Sequence, residues 1–135
     1  MGEALPIPHR EPFLFVGTAT DVDSEGGVFR WDFPRTGDSF ALRMCPSLLM
    51  VEAMAQAAAA WHGLFCASAG GEVEHGTLAS IDGARFSGRP HPGDCMITKV
   101  RQKKVFGALV MLDGEVWVHH RLLAQAKLVV RRGAP

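Results

Sequence analysis

The chain has 135 residues, of which 47% are hydrophobic, and its 14 basic side chains balance its 14 acidic ones. This length predicts a single domain, residues 1–135, with one hydrophobic core. A net charge of zero argues against nucleic acid and against an anionic membrane surface as partners. The three cysteines show no paired spacing, which predicts no metal site and a reducing, cytoplasmic location.

The N-terminal third is predicted to contain two strands and a loop. Closely spaced prolines between residues 6 and 12 indicate an extended lead-in, because proline keeps the residue before it out of the helical conformation. Phe13–Ala19 is apolar and is predicted as the first strand. A turn in the sequence DVDSEGG, residues 21–27, then leads to Val28–Phe33 as the second strand of a hairpin. An irregular loop, Pro34–Met44, follows.

The most apolar stretch of the chain predicts one long helix from Pro46 to about Ala69. Proline is tolerated in the first turn of a helix, and the pair of glycines that follows this stretch can end it. Between residues 48 and 60 the only polar side chains are Glu52 and Gln56, which lie one turn apart on one face. A helix that is apolar on all its other sides is a buried helix. Because it carries a carboxylate in its second turn, we expect a sheet around it and not a membrane.

The C-terminal half is predicted to form antiparallel strands. Thr77–Phe86, Cys95–Lys104 and Val105–Leu112 read as strands. Asp113-Gly114 is the strongest hairpin signal, and Glu115–Val130 is long enough for a bent final strand. The element order predicts an α+β fold in which a curved antiparallel sheet wraps a long central helix. Such a sheet covers one side of the helix only, so we expect a second copy of the chain, hence a homodimer.

Three segments of the chain resemble a known family in their order and separation. They read PHREPFLFV at residues 8–16, PSLLMVEAMAQ at 46–56 and LASIDGARFSGRPHPGD at 78–94. These segments are similar to those of the FabZ-type 3-hydroxyacyl-acyl-carrier-protein dehydratases, which have the hotdog fold. The resemblance implies a homodimer, or a higher oligomer of dimers, with its sites at the subunit interface. It also implies a thioester of acyl-carrier-protein or coenzyme A as partner, fatty-acid or polyketide-type biosynthesis as the setting, and no cofactor.

The resemblance assigns the catalytic carboxylate of the family to Glu52. In the family, a histidine in a Gly-His-Phe-Pro segment lies fourteen residues before this glutamate. The corresponding residue here is Asp38, and the sequence has no histidine between Glu11 and Trp61. Two neighbouring carboxylates that share one proton can supply one acid and one base, so Asp38 is the candidate base where it lies near Glu52 of the partner subunit.

Three further residues are predicted to contact the bound thioester: Ser47, Gln56 and Phe40. The free N–H groups at the start of the helix near Ser47 can stabilise a developing negative charge, which the helix dipole also favours. Cys45 stands just before the helix, where the pKa of a thiol can be lowered. A packed, small apolar residue is nevertheless the favoured interpretation of Cys45.

Three functions remain open at the level of sequence. The first is a dehydratase with an altered base. The second is a hotdog thioesterase in which Glu52 activates water. The third is a catalytically silent subunit that binds acyl groups or pairs with an active partner.

Overall fold

Residues 5–7, 9–10, 13–37, 40–68 and 77–132 of the chain are described by the computed structural model, with backbone only for residues 66–68. The elements are strand β1 (Thr18–Val22), strand β2 (Gly26–Asp32), a short 3-10 turn (Phe40–Leu42), helix α1 (Pro46–Ser68), and strands β3 (Thr77–Phe86), β4 (Cys95–Phe106), β5 (Leu109–Val118) and β6 (Arg121–Arg131). The strands form one antiparallel sheet in the order β1-β2-β4-β5-β6-β3, and α1 packs against it. This confirms the predicted α+β hotdog architecture.

Helix α1 is the centre of the hydrophobic core, as its composition predicts. Met50, Met54 and Trp61 are almost fully buried, and α1 contacts all six strands of the sheet. Burial of a side chain such as Met54 contributes about 1.5–3 kcal/mol to folding. Alanines fill most of the remaining helix positions between these large side chains, which lets the helix approach the sheet closely. No helix among the described residues combines the length and apolarity needed to cross a lipid bilayer.

The predicted hairpin at Asp113-Gly114 is wrong, because both residues lie inside strand β5. Gly114 pairs with Val100 on one side and with Ala126 on the other. A Cβ atom added at Gly114 would lie 2.7 Å from Leu128 Cδ1 and 3.0 Å from Met54 Sδ. The glycine therefore provides space for the helix, and it does not reverse the chain.

The turns between the last three strands lie elsewhere, so the predicted strands Val105–Leu112 and Glu115–Val130 are also wrongly bounded. Gly107-Ala108 joins β4 to β5, with a φ of 56° at Gly107. His119-His120, which we expected on a strand, joins β5 to β6 with φ values of 51° and 62°. Two consecutive left-handed residues form the type of turn whose twist matches that of the adjoining strands. Histidine is not a typical residue for such a turn, which explains why the sequence pattern missed it.

The segment Phe13–Gly17 was predicted as strand, but only its continuation at Thr18 and Ala19 belongs to β1. Gly17 still donates a backbone hydrogen bond to Arg30 O at 2.9 Å. The backbone of Phe13 and Phe15 is instead bound by a side chain of α1, as described below. The segment Phe13–Gly17, which we call the lead-in from here on, is therefore attached to the helix, and the sheet begins after it.

Strand β3 forms an edge of the sheet. It pairs with β6, and all of its residues except Ile81 are exposed. Its apolar side chains Leu78 and Phe86 are 39% and 42% exposed. An exposed apolar edge strand is a surface on which another strand can pair.

Candidate active site

Cys45 directly precedes the first turn of α1. Cys45 is the N-cap residue, because its carbonyl oxygen accepts a hydrogen bond from Leu49 N at 3.0 Å. The backbone N–H of Leu48, and then that of Ser47, lowers the pKa of the Cys45 thiol. Cys45 is exposed, so the interpretation as a packed apolar residue is wrong. The backbone N–H groups near Ser47, predicted to stabilise negative charge on a substrate, here act on the Cys45 sulfur.

We expect Cys45 to react with iodoacetamide at a lower pH than Cys95. Burial raises the pKa of the Cys95 thiol, whereas the amides of the helix start lower that of Cys45. At a given pH between the two values, Cys45 therefore has the larger thiolate fraction, and thiolate is the reacting form. Mass spectrometry of the alkylated peptides over a series of pH values measures both rates. The variant Cys45→Ser is the control, and equal or faster labelling of Cys95 would contradict the assignment.

Glu52 lies one turn further along α1 and is half-buried. Its Oε2 accepts a hydrogen bond of 3.1 Å from Nε2 of Gln56. Within the described part of the chain, this is the single hydrogen bond that the Glu52 side chain makes. The second carboxylate oxygen, Oε1, makes no hydrogen bond with any described residue.

Gln56 is 1% exposed and makes two further hydrogen bonds, both to the lead-in. Its Oε1 accepts from Phe15 N at 2.8 Å, and its Nε2 donates to Phe13 O at 2.8 Å. Gln56 was predicted to contact substrate. The structure places its amide between the lead-in backbone and Glu52.

Phe40 lies beside the same lead-in. Its ring meets that of Phe13 edge to face, with 4.8 Å between the ring centroids. Phe40 is half-buried and Phe13 is 51% exposed, so the pair lies at the surface next to Gln56. Asp38, the candidate base, lies outside the described residues. It precedes Phe40 by two positions in the sequence.

A shallow cavity of about 200 Å³ opens at the start of α1. It is bounded by the 3-10 turn, by the first turn of the helix, and by the loop that follows β3. The residues around it are Phe33, Ala41, Leu42, Met44, Pro46, Leu49, Arg89, Pro90, His91 and Pro92. The loop with the sequence SGRPHPGD thus lies next to the helix start, although some forty residues separate the two in the sequence.

The histidines that the structure describes form no metal centre with the described acidic side chains. Among the described residues, no group of three or more His, Cys, Asp and Glu side chains is arranged to hold a metal ion. His62, on α1, is 5% exposed. His91 and His119 both lie near Asp94, with His119 Nε2 3.6 Å and His91 Nδ1 3.9 Å from its carboxylate oxygens, and both histidines are exposed.

Solved structures with a similar fold belong to the hotdog class. The dehydratase heterocomplex ApeI:P from Xenorhabdus doucetiae superposes with a TM-score of 0.81 and 16% identity, over 96% of this chain and 89% of that one. A hypothetical thioesterase with coenzyme A from Streptococcus pneumoniae gives a TM-score of 0.65 and 10% identity, over 85% and 86% of the two chains. These identities are low, so the two likenesses establish the fold.

The family is established by sequence. Residues 4–134 match the ApeP-like family, described as ApeP dehydratase, and the chain belongs to this family. The FabZ 3-hydroxyacyl-acyl-carrier-protein dehydratase of Haemophilus ducreyi is 31% identical over 136 residues, which cover 93% of this chain and 85% of that protein. The FabZ of Cereibacter sphaeroides is 33% identical over 137 residues, with coverages of 96% and 86%. The FabZ-like resemblance inferred from the three segments is therefore confirmed.

Proposed function

We propose that this protein dehydrates 3-hydroxyacyl thioesters and that Glu52 is its catalytic carboxylate. The observation that carries the proposal is the half-buried carboxylate of Glu52, held by Gln56 on the buried helix of a chain from a dehydratase family. The relatives named FabZ act on acyl-carrier-protein substrates, which supports a thioester of this carrier, or of coenzyme A, as the substrate.

The elimination requires three kinds of group. A base removes the proton from the carbon next to the thioester carbonyl, and an acid gives a proton to the departing hydroxyl, so that water leaves and a carbon–carbon double bond forms. Donors stabilise the negative charge that develops on the carbonyl oxygen. In our proposal, Glu52 is the acid, Asp38 is the base, and N–H groups near Ser47 are the donors.

The experiment that tests this function supplies purified protein with 3-hydroxyacyl and with enoyl thioesters. Dehydration, or the reverse hydration, changes the absorbance of the conjugated enoyl group, whereas thioester hydrolysis releases a free thiol. We expect the first signal without the second. Thiol release without enoyl chemistry would instead support the thioesterase alternative.

A second candidate function is that of a subunit in a mixed complex. The structural likeness to the ApeI:P heterocomplex and the lack of a histidine between Glu11 and Trp61 favour it. In this case the protein alone would bind acyl thioesters without turnover. Assaying it alone, and together with a hotdog dehydratase from the same genome, separates the two candidates, because only a partner subunit needs the second protein for turnover.

We further propose that the protein forms a homodimer through strand β3. Replacing both Leu78 and Phe86 by lysine puts charges on the exposed edge, where like charges on facing strands repel each other. We expect this double variant to be monomeric in light scattering after gel filtration. The matched control is Phe106→Lys, which changes a side chain that is 55% exposed on β4. A double variant that stays dimeric would show that another surface joins the subunits.

A further inference from the structure

The face of the sheet that points away from α1 carries charges of opposite sign on its two middle strands, β4 and β5. On β4, the exposed residues Lys99 and Arg101 flank a buried valine, so they point outward, because side chains alternate between the two faces of a strand. On β5, Gly114 faces the helix. Its neighbours Asp113 and Glu115 therefore also point outward.

The register of the two strands places these charges at the same heights along the sheet. Lys99 pairs with Glu115 across the strands. Arg101 pairs in the same way with Asp113. A basic row on β4 thus runs beside an acidic row on β5. Such a surface does not match a partner of uniform charge, but it matches a copy of itself in which the two rows are exchanged.

Trp117 extends the acidic row by an aromatic ring that both charges hold in place. Its Nε1 donates a hydrogen bond to Glu115 Oε1 at 3.2 Å, and Lys99 Nζ lies 5.1 Å from the ring centroid. Its neighbour across the strands is Ile97, and both side chains are half-buried. A tryptophan that is already fixed loses little conformational freedom when a partner covers it, and tryptophan is typical of the residues that dominate binding energy at interfaces.

We infer that this outward face binds the same face of a second copy of the chain, about a two-fold axis that runs parallel to the strands between β4 and β5. This rotation lays β4 of one chain on β5 of the other and keeps the height along the strands. Lys99 then meets Glu115 of the partner subunit. Arg101 meets Asp113 of the partner subunit. Stacked sheets lie about 10 Å apart, a distance that two long side chains span together.

The same rotation also matches the two edge strands, β1 and β3. At the height of Lys99, one row of paired residues crosses the whole sheet from β1 to β3: Asp21, Val28, Lys99, Glu115, Gln125 and Arg85. Residues that pair across strands share a face of the sheet, so the row points outward. Exchange of its two ends places Asp21 against Arg85 of the partner subunit. No two like charges of this row meet.

The contact is expected to be weak and sensitive to salt. Exposed ion pairs contribute little individually, and salt screens them. We therefore expect association at high protein concentration in low salt, and its loss in about 0.5 M salt. The dilution of a gel-filtration run is expected to release it as well, which leaves the dimer proposed through β3. The inference does not depend on the proposed dehydratase function, because it involves neither Glu52 nor the cavity at the start of α1.

The test exchanges the charges of one pair, and sedimentation in low and in high salt measures the mass. Lys99→Glu alone puts a carboxylate against Glu115 of the partner subunit. Glu115→Lys alone puts two ammonium groups together. We expect neither variant to exceed the mass that it has in high salt. In an equimolar mixture of the two variants, opposite charges meet again at both contacts, so we expect the wild-type mass to return. Such a recovery cannot come from repaired folding, because each chain keeps its own substitution.

The matched control is Lys104→Glu, which changes an exposed charge on β4 that the rotation places against Met111 of the partner subunit. We expect this variant to associate like the wild type. If a variant of the first pair does not fold, Arg101→Glu and Asp113→Arg exchange the neighbouring pair instead. A wild-type protein that keeps its high-salt mass at every concentration, association that survives either single substitution, or a mixture that does not recover would overturn the inference.

Discussion

Glu52→Gln is expected to lower the turnover of 3-hydroxyacyl thioesters by about 10²–10⁴-fold, the usual contribution of a positioned acid or base. Glutamine keeps the volume of the side chain, and its oxygen can still accept the N–H of Gln56. Only the ability to transfer a proton is lost. We therefore expect the melting temperature to change little, because the bond between positions 52 and 56 is retained.

The same variant separates a catalytic role from a structural remnant. A partly buried carboxylate that has no catalytic role still carries a desolvation cost. Its replacement by a neutral amide is then expected to leave the free energy of unfolding unchanged or to raise it. Thermal unfolding and turnover are measured on the same preparation. A protein that is more stable and turns over every tested thioester as fast as the wild type would exclude Glu52 as the catalytic residue.

Asp38→His is expected to raise dehydratase turnover by about 10²–10⁴-fold. The substitution restores the histidine that the FabZ family has fourteen residues before its catalytic glutamate. An imidazole is a better base than a carboxylate near neutral pH, because its ordinary pKa lies closer to the working pH. Phe40, two positions after residue 38 in the sequence, contacts the ring of Phe13, and the carbonyl of Phe13 accepts a hydrogen bond from Gln56.

The control for this gain is Thr36→His, which places an imidazole in the same loop at an exposed position. We expect no gain from the control variant, since its spacing from Glu52 differs from that of the family. Steady-state rates with a 3-hydroxyacyl thioester measure both variants. Equal rates for Asp38→His and the wild type, with both proteins folded, would mean that the loop does not bring residue 38 to the site.

The helix and its carboxylate could be predicted from the sequence because both depend on local order. An apolar stretch with only Glu52 and Gln56 as polar side chains has few alternatives to a buried helix, and Pro46 marks its start. The bonds between Gln56 and the lead-in could not be predicted in this way. They join residues 41 and 43 positions apart, and no local pattern shows which backbone groups a buried amide will bind.

The turns between the last three strands could not be predicted correctly, for a different physical reason. A glycine serves both where the chain reverses and where two elements come very close, and the pair Asp113-Gly114 looks the same in either case. Conversely, His119 and His120 adopt left-handed conformations that their residue type does not suggest. Cys45 was misjudged because exposure depends on what packs over the start of the helix, and the sequence does not show that.

Because Gly114 has no side chain, strand β5 leaves room for the side chains that pack between the sheet and α1. A Cβ atom added at Gly114 would come closest to Leu128 and then to Met54. In the sequence of α1, Met54 lies midway between Glu52 and Gln56. A larger residue in the middle of β5 would have to displace the side chains of Leu128 and Met54. Substitutions at residue 114 are therefore expected to lower the melting temperature, because an added side chain overpacks the contact between the sheet and the helix.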